Sequence, residues 1–276
     1  MPELPELEIC RRQLNRWGTG RTLTQVSLLE PSTLRRRPSS RPSDIDSAGA
    51  ARLYALIGRS PQPAIRHGKR VGWSWDTDAL VIQLGMTGRW VRRETGAEPP
   101  RHSKLGLTFD DTRTLWMTDP RRFGCVCVIA SDDLPIALRG TMGPDALLDP
   151  LEPTALRDRF RGRRAIKVAL LDQTTIAGIG NIQATEALFR AGIDPNTPID
   201  AVTIDAWTRL SKAIPAQLQW TLDKSDAEEI QYASDAGAAN PFLIYGRNGQ
   251  DCPRCSTPIN RTVLGGRSTF WCPTCQ

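Results

Sequence analysis

The chain has 276 residues, more than one small domain needs, so two lobes are expected. Apolar residues make up 39% of it, enough for real cores, yet no apolar run approaches membrane-spanning length, which excludes a helical membrane protein. Lys and Arg total 36 against 30 Asp and Glu, a net charge of +6 that suits a polyanionic partner without requiring one.

The chain opens Met1-Pro2-Glu3-Leu4-Pro5-Glu6. Carboxylates stand where a secretory signal carries basic residues and then an apolar stretch, so a cytoplasmic protein is expected. A small residue after the initiator Met permits its removal, which leaves Pro2 as a secondary amine beside Glu3 and Glu6. An α-amino group titrates near ~8, so a useful fraction is neutral and nucleophilic at physiological pH. Lysine at ~10.4 needs far more desolvation to match it. Read alone, the same residues are an ordinary helix start, with Pro near the first turn and acids at the N-terminal end. The helix is expected from about Glu6 to Trp17, ended by Gly18 and Gly20.

Strand patterns follow. Val71, Trp73 and Trp75 alternate with smaller or polar residues, as do Leu80, Ile82 and Leu84, and then Leu105, Leu107 and Phe109. Short strands at this spacing predict a sandwich or barrel. Between Ser131 and Pro153 the chain is punctuated by Asp132, Asp133, Pro135, Gly140, Gly143, Pro144 and Pro150, which predicts a hinge. Arg157, Arg159, Arg161, Arg163, Arg164 and Lys167 then cluster, either as a phosphate-tracking surface or as a solvated helix face.

Helical periodicity takes over beyond the hinge. Ile166, Ala169 and Leu170 share a face, as do Ala184, Ala187, Leu188 and Ala191, and later Trp207, Leu210, Ile214 and Leu218. Pro215 is expected to kink or split that last helix. The segment from Asp223 to Asn240 mixes acids with Ala, Gly and Ser and reads as a mobile loop.

Cys252, Cys255, Cys272 and Cys275 are spaced C-x2-C-x16-C-x2-C, within the range for four thiolates on one tetrahedral zinc. Four protein ligands close such a site, so the zinc is expected to be structural and to supply folding energy to a small hairpin. Cys10, Cys125 and Cys127 are scattered, and disulfides are not expected.

Several motifs together resemble the formamidopyrimidine-DNA glycosylases. In order they are Met1-Pro2-Glu3-Leu4-Pro5-Glu6-Leu7-Glu8, Leu84-Gly85-Met86-Thr87-Gly88 and Asp119-Pro120-Arg121-Arg122-Phe123-Gly124. Gly178-Ile179-Gly180-Asn181-Ile182, Ala191-Gly192-Ile193-Asp194-Pro195, Tyr245-Gly246-Arg247 and the four cysteines complete the series, from Met1 to Gln276. Leu4 in the opening motif favours this purine-oriented branch over the related endonuclease VIII branch.

The resemblance implies an α+β chain: an N-terminal β-sandwich with flanking helices, then a helical lobe with a helix–two-turns–helix motif and a four-cysteine zinc finger. Expected boundaries are 1–132 for the catalytic sandwich, 133–153 for the linker, 154–240 for the DNA-binding lobe with a lesion-capping loop, and 241–276 for the finger. Carried over residue by residue, Pro2 is the nucleophile, Glu3 the acid working on the sugar, and Glu6 its support. Lys69, in His67-Gly68-Lys69-Arg70 on an expected hairpin, matches the essential lysine near the lesion phosphate; locally it reads as an exposed turn lysine.

Met86, Arg121 and Phe123 match residues that fill the stack vacated by a flipped base, an extrusion costing roughly a few kcal/mol. Met86 and Phe123 could equally be core. Asn181 after Gly178-Ile179-Gly180 matches a phosphate clamp at a helix N terminus, assisted by Lys167 and by Arg267 from the finger. His102 matches a further phosphate contact.

Three places depart from the family. Gln183 replaces a phosphate-contacting Tyr. Arg101-His102-Ser103-Lys104 lacks the usual acidic and second-His pattern. The segment from Leu222 to Asn240 lacks the usual Gly-Gly-Thr/Ser stretch.

The expected activity is base-excision repair. An oxidised purine (formamidopyrimidine or 8-oxoguanine) is removed through a Schiff base on Pro2, and the strand is nicked by β,δ-elimination. The expected partner is double-stranded DNA containing damaged bases, bound by a monomer, with no membrane and one structural Zn2+. The alternatives are an oxidised-pyrimidine glycosylase resembling endonuclease VIII and a non-catalytic DNA-binding protein.

Overall fold

A computed structural model describes the chain except residues 1, 38–42, 226–228, 233–234 and 236. The chain divides into two compact units. The first takes in residues 1–2, 6–140 and 227–232, the second residues 3–5, 141–226 and 233–276.

Helix α1 (Leu4–Trp17), all of it from Glu6 onward in the first unit, starts two residues earlier than the apolar periodicity suggests. Strand β1 (Leu23–Leu28) and helix α2 (Ser47–Tyr54) follow, then β2 (Ile65–His67), β3 (Arg70–Ser74), β4 (Asp78–Gln83), β5 (Arg89–Glu94), β6 (Ser103–Phe109), β7 (Arg113–Thr118) and β8 (Cys125–Ala130). They form two antiparallel sheets, ordered β1-β6-β7-β5 and β2-β3-β4-β8. One apolar core draws on both sheets, with Trp73, Leu80 and Val126 from one and Trp90, Leu107 and Leu115 from the other. Leu7, Leu14 and Trp17 bring the buried face of α1 into the same core. That is the expected sandwich.

The stretch expected to be a linker is partly helical. Helix α3 (Leu134–Arg139) lays Leu134 and Leu138 on Ala79, Val81 and Cys127, on the outer face of β4 and β8. Gly72 makes room for it, since a Cβ there would come within 2.7 Å of Leu134 Cδ1. The Arg70 guanidinium donates to the Ala137 and Leu138 carbonyls, closing the C-terminal end of α3. The break between units therefore falls after Gly140, beyond the Asp-Pro signals that read as punctuation.

The second unit holds helices α4 (Pro153–Arg159), α5 (Ile166–Leu170), α6 (Asn181–Ala191) and α7 (Ile204–Asp223), and the hairpin of β9 (Asn260–Leu264) and β10 (Arg267–Trp271). Its core gathers Ile166, Leu170, Ala184, Leu188, Trp207, Leu210, Ile214 and Leu218. Gly192 ends α6 in the left-handed conformation, and the Thr203 side chain accepts from Ala206 N to start α7.

Pro215 does not split α7, which runs as one element through it. Buried Leu210, Ile214 and Leu218 hold the turns on both sides of the proline, and this packing outweighs one missing backbone donor. The basic cluster before α5 is largely paired: Arg157 with Asp158, Arg163 with Asp200 and Arg164 with Asp172.

Part of the loop expected to be mobile falls on residues 226–228, 233–234 and 236, outside the described residues. Its described part is anchored. Ile230 and Tyr232 are buried in the sandwich core, and Glu229 pairs with Arg93. The Tyr232 hydroxyl donates to the Gly88 carbonyl, and Arg89 donates to the Ile230 carbonyl. Two apolar side chains spaced i, i+2 are too short a pattern to stand out in an acidic, Ala-rich stretch.

Candidate functional site

Pro2 is buried at the start of the first unit; Met1 lies outside the described residues. Glu6 is half-buried in the first turn of α1. One turn on, Glu8 takes hydrogen bonds from Arg11, Arg12 and Arg66 at 2.7–3.2 Å. Burial pushes the Glu8 carboxyl up, but the Arg11 hydrogen bond and the surrounding guanidinium charges outweigh it and hold Glu8 below the usual carboxylate range. Arg66 also donates to the Gly68 carbonyl at 3.1 Å, so α1 grips the β2–β3 hairpin at its tip. Lys69 is half-buried on that two-residue tip, next to Gly68 at φ 53°, a turn position that favours glycine.

Two further loops in this unit converge. Gly85 has φ 64°, and a Cβ there would come within 2.4 Å of Gly124 N and 2.8 Å of Phe123 Cβ. Only glycine lets the 84–88 loop lie against the 119–124 loop. Met86 is half-buried on the first, while Arg121 and Phe123 are exposed on the second, with the Arg121 guanidinium 5.3 Å from the centre of the Phe123 ring. Phe123 is thus a loop-tip side chain, not core.

Asp119 organises both loops. Its carboxylate accepts from Thr87 Oγ1 at 2.6 Å, Arg121 N at 3.2 Å and Gly124 N at 2.7 Å. Its backbone N–H donates to the carbonyl of His102, an exposed residue at φ 66°. The sequence reading did not single out Asp119 as an organiser. Its signal is a buried acid (2% exposed) beside a Pro in a loop that must be rigid.

In the second unit, Glu3 is 2% exposed and lies at the N terminus of α6. Its Oε1 accepts from Ile182 N at 2.8 Å and its Oε2 from Gln183 N at 3.0 Å. The helix-end amides expected to face a phosphate thus receive this chain's own carboxylate, charge against the positive end of the helix dipole. The two glycines before the helix exist for this approach. A Cβ on Gly180 would fall 2.2 Å from Glu3 Cδ, and one on Gly178 would fall 2.3 Å from Leu4 Cδ1. Gln173 locks the same loop, donating to the Ile179 carbonyl and accepting from Gly178 N, a role with no sequence signal.

Lys167, Asn181 and Arg267 come together. The fully buried Lys167 ammonium donates to Asn181 Oδ1 at 2.5 Å, and Asn181 Nδ2 donates to the Ser268 carbonyl at 2.9 Å. Burial and the nearby Arg267 push the Lys167 pKa down to about 8, against an upward pull from Glu3. Arg267 is the exposed cation of the group, at the start of β10. Gln183, read as a departure from a phosphate-contacting Tyr, turns its side chain into the α6–α7 interface and is 1% exposed.

The sulfurs of Cys252, Cys255, Cys272 and Cys275 all lie within 4.8 Å of one another, with closest pairs at 3.5 and 3.9 Å. Disulfide sulfurs would sit near ~2.05 Å. Four sulfurs around a tetrahedral zinc at ~2.3 Å stand about 3.8 Å apart, so the donor set and its size fit a structural metal. Glu186, fully buried on α6, accepts from the backbone of Leu243, Ile244 and Tyr245 and ties the segment ahead of the finger to the helix.

The family models match as three modules. Residues 1–126 match the formamidopyrimidine-DNA glycosylase N-terminal domain, 142–231 its H2TH domain, and 249–276 the zinc finger found in FPG and IleRS. A formamidopyrimidine-DNA glycosylase of Geobacillus kaustophilus is 35% identical, with all of both chains covered. Lactococcus lactis Fpg in complex with DNA containing an abasic site is 27% identical, with a TM-score of 0.85 over 99% of each chain. A point mutant of that protein with Fapy-dG DNA is also 27% identical, with a TM-score of 0.85 over 100% of this chain and 99% of that one. The chain belongs to the formamidopyrimidine-DNA glycosylase family.

Proposed function

We propose that the chain is a bifunctional DNA glycosylase of base excision repair, acting on oxidised purines such as formamidopyrimidines and 8-oxoguanine. The observation that carries this reading is the Glu3 carboxylate, next in sequence to Pro2, buried and held by two backbone amides at the N terminus of α6. An ordinary helix start leaves its acids in solvent; this one aims an acid. The full-length likeness to glycosylases, and to Fpg chains bound to abasic and Fapy-dG DNA, supports the same reading.

Once Met1 is removed, the Pro2 nitrogen attacks C1′ of the lesion nucleotide. The N–C1′ bond forms as the C1′–N9 bond breaks, and the base leaves with the bonding pair and a proton. A proton taken up from solvent passes through Glu3 to O4′ as the C1′–O4′ bond opens, which leaves an iminium on Pro2, and Glu6 supports this proton movement. The iminium accepts the electrons released when C2′ loses a proton, so the 3′ phosphate is expelled. A second elimination releases the 5′ phosphate, and water frees the enzyme.

Lys69 holds the lesion phosphate. Lys167, Asn181, Arg267 and His102 hold the flanking backbone, while Met86, Arg121 and Phe123 fill the vacated stack. The four cysteines hold one zinc, which when bound supplies folding energy to the β9–β10 hairpin. The protein works as a monomer on double-stranded DNA at the nucleoid of the cytoplasm. Among the described residues no helix is long and apolar enough to cross a membrane.

Borohydride trapping tests the chemistry, on a duplex with a single 8-oxoguanine opposite cytosine. Wild type should give a covalent adduct, and Pro2→Gly should give almost none. An adduct only on an oxidised-pyrimidine duplex would keep the chemistry and move the substrate to the endonuclease VIII class. Binding without an adduct on any lesion, abasic sites included, would leave a non-catalytic DNA-binding protein.

A further inference from the structure

Gln183 stands in the first turn of α6, and its two ends have different partners. Its backbone N–H donates to Glu3 Oε2 at 3.0 Å. Its side-chain Oε1 lies 3.2 Å from Gln217 Nε2 and 3.2 Å from Thr221 Oγ1, both on α7. Gln217 Nε2 also donates to Thr221 Oγ1 at 3.0 Å, and Gln217 Oε1 accepts from Arg190 Nε at 2.5 Å. Gln183, Gln217 and Thr221 are all at least nine-tenths buried.

Buried amides keep their position because every other arrangement leaves a polar atom without a partner. Neighbours on α6 such as Ala184, Ala187 and Leu188 are packed by shape alone, and apolar side chains would fill the same interface without a cluster of amides. What the polar set adds is a single rotational setting of the first turn of α6. That setting aims the Ile182 and Gln183 amides, the two donors that hold the Glu3 carboxylate.

Resting on the reading of Glu3 as the proton-transfer residue, we propose that Gln183, Gln217 and Thr221 are positioning residues for Glu3. They act through the α6 backbone and touch neither DNA nor the reacting atoms. In this chain the residue in place of the family's usual Tyr thus trades a phosphate contact for control of the catalytic acid. The set belongs to the chemical step, not to binding.

The test is single-turnover base excision by the full-length, Met1-processed protein on an 8-oxoguanine duplex, with duplex Kd and Tm measured for each variant. Because misplacing a reacting group by about 1 Å costs up to ~100-fold, Gln183→Leu should slow excision about tenfold while Kd stays within about twofold. Thr221→Val, which keeps the shape and loses the hydroxyl, should slow it about threefold, and Thr221→Ser should restore the wild-type rate. A lowered Tm with an unchanged rate in Gln183→Leu would overturn the proposal, since packing alone would then explain the set. Should Gln183→Leu fail to fold, the Thr221 pair decides: equal rates for Val and Ser overturn it. Glu3→Gln is run alongside. A wild-type rate there sinks the reading of Glu3 itself, whereas a dead Glu3→Gln beside a fully active Gln183→Leu sinks only the positioning role.

Discussion

If Lys167 holds phosphate as proposed, it places stability and binding under opposite pH demands. Its ammonium is fully buried on Asn181, and burial with the neighbouring Arg267 lowers its pKa to about 8. In the unfolded chain the ordinary value is ~10.4. Between those values the unfolded chain holds a proton that the folded one has released, so Lys167 makes stability rise with pH across that window. Below about 8 the charged form is a standing cost of folding. Binding runs the other way, because only the charged form attracts phosphate. From about pH 7 to about pH 9 duplex affinity should fall, and the log–log dependence on salt should become shallower by up to ~0.9. Lys167→Met should show the shallow slope at both values, which separates this titration from that of the Pro2 amine. Anisotropy titrations in a salt series would read it, and a wild-type slope indifferent to pH would exclude the role. Only the family resemblance pointed to this lysine; its spacing from Gly178-Ile179-Gly180-Asn181 carries no signal. Its burial was not legible, because a lysine that follows five clustered arginines reads as solvated. Asn181 and Arg267, brought in from α6 and β10, create that environment.

At the level of elements, alternating residues made β3, β4 and β6 legible, and the faces of α5, α6 and α7 followed from their 3.6-residue period. What stayed hidden were contacts made by a single polar side chain. Asp119 is the clearest case: one carboxylate ties Thr87, Arg121 and Gly124 together, so it links the loops carrying Met86, Arg121 and Phe123. The wedge we propose for these three matters only when a base must leave a stack. Replacing Met86, Arg121 and Phe123 together by Ala should therefore slow excision from duplex DNA at least about tenfold more than from a single strand carrying the same lesion, since the wedge offsets part of the roughly few kcal/mol of extrusion. Asp119→Ala should reproduce part of that selective loss with all three side chains still present. Steady-state rates on paired duplex and single-stranded oligonucleotides would check both, and equal losses on the two substrates would remove the wedge assignment. α7 teaches the converse: Pro215 read as a kink or a split, and helix packing keeps the helix unsplit.

Across the whole molecule, the two-unit division was legible as a change from strand to helix periodicity, and the finger as cysteine arithmetic. The extent to which the finger depends on its metal follows from its size. Its own apolar cluster is Ile244, Ile259, Phe270 and two of the cysteines, completed by Phe189 borrowed from α6. A two-stranded hairpin with so little core is marginal alone, and the proposed zinc would supply the difference through thiolate–metal bonds. The hairpin in turn delivers the Ser268 carbonyl to Asn181 and sets Arg267 beside Lys167. Stripping the metal from the intact protein should release a single zinc per chain and loosen β9 and β10. The sandwich, whose buried tryptophans Trp73, Trp75 and Trp90 belong to its own apolar cluster, should keep its fold. Without the Asn181 anchor and the Arg267 charge, duplex affinity should fall about tenfold, and the salt slope should become shallower by about one phosphate contact. Added Zn2+ should restore both. Metal-free protein that binds duplex with wild-type affinity and salt dependence would mean that the helical core holds the clamp unaided, and the finger would then be an ornament on the binding surface instead of part of it.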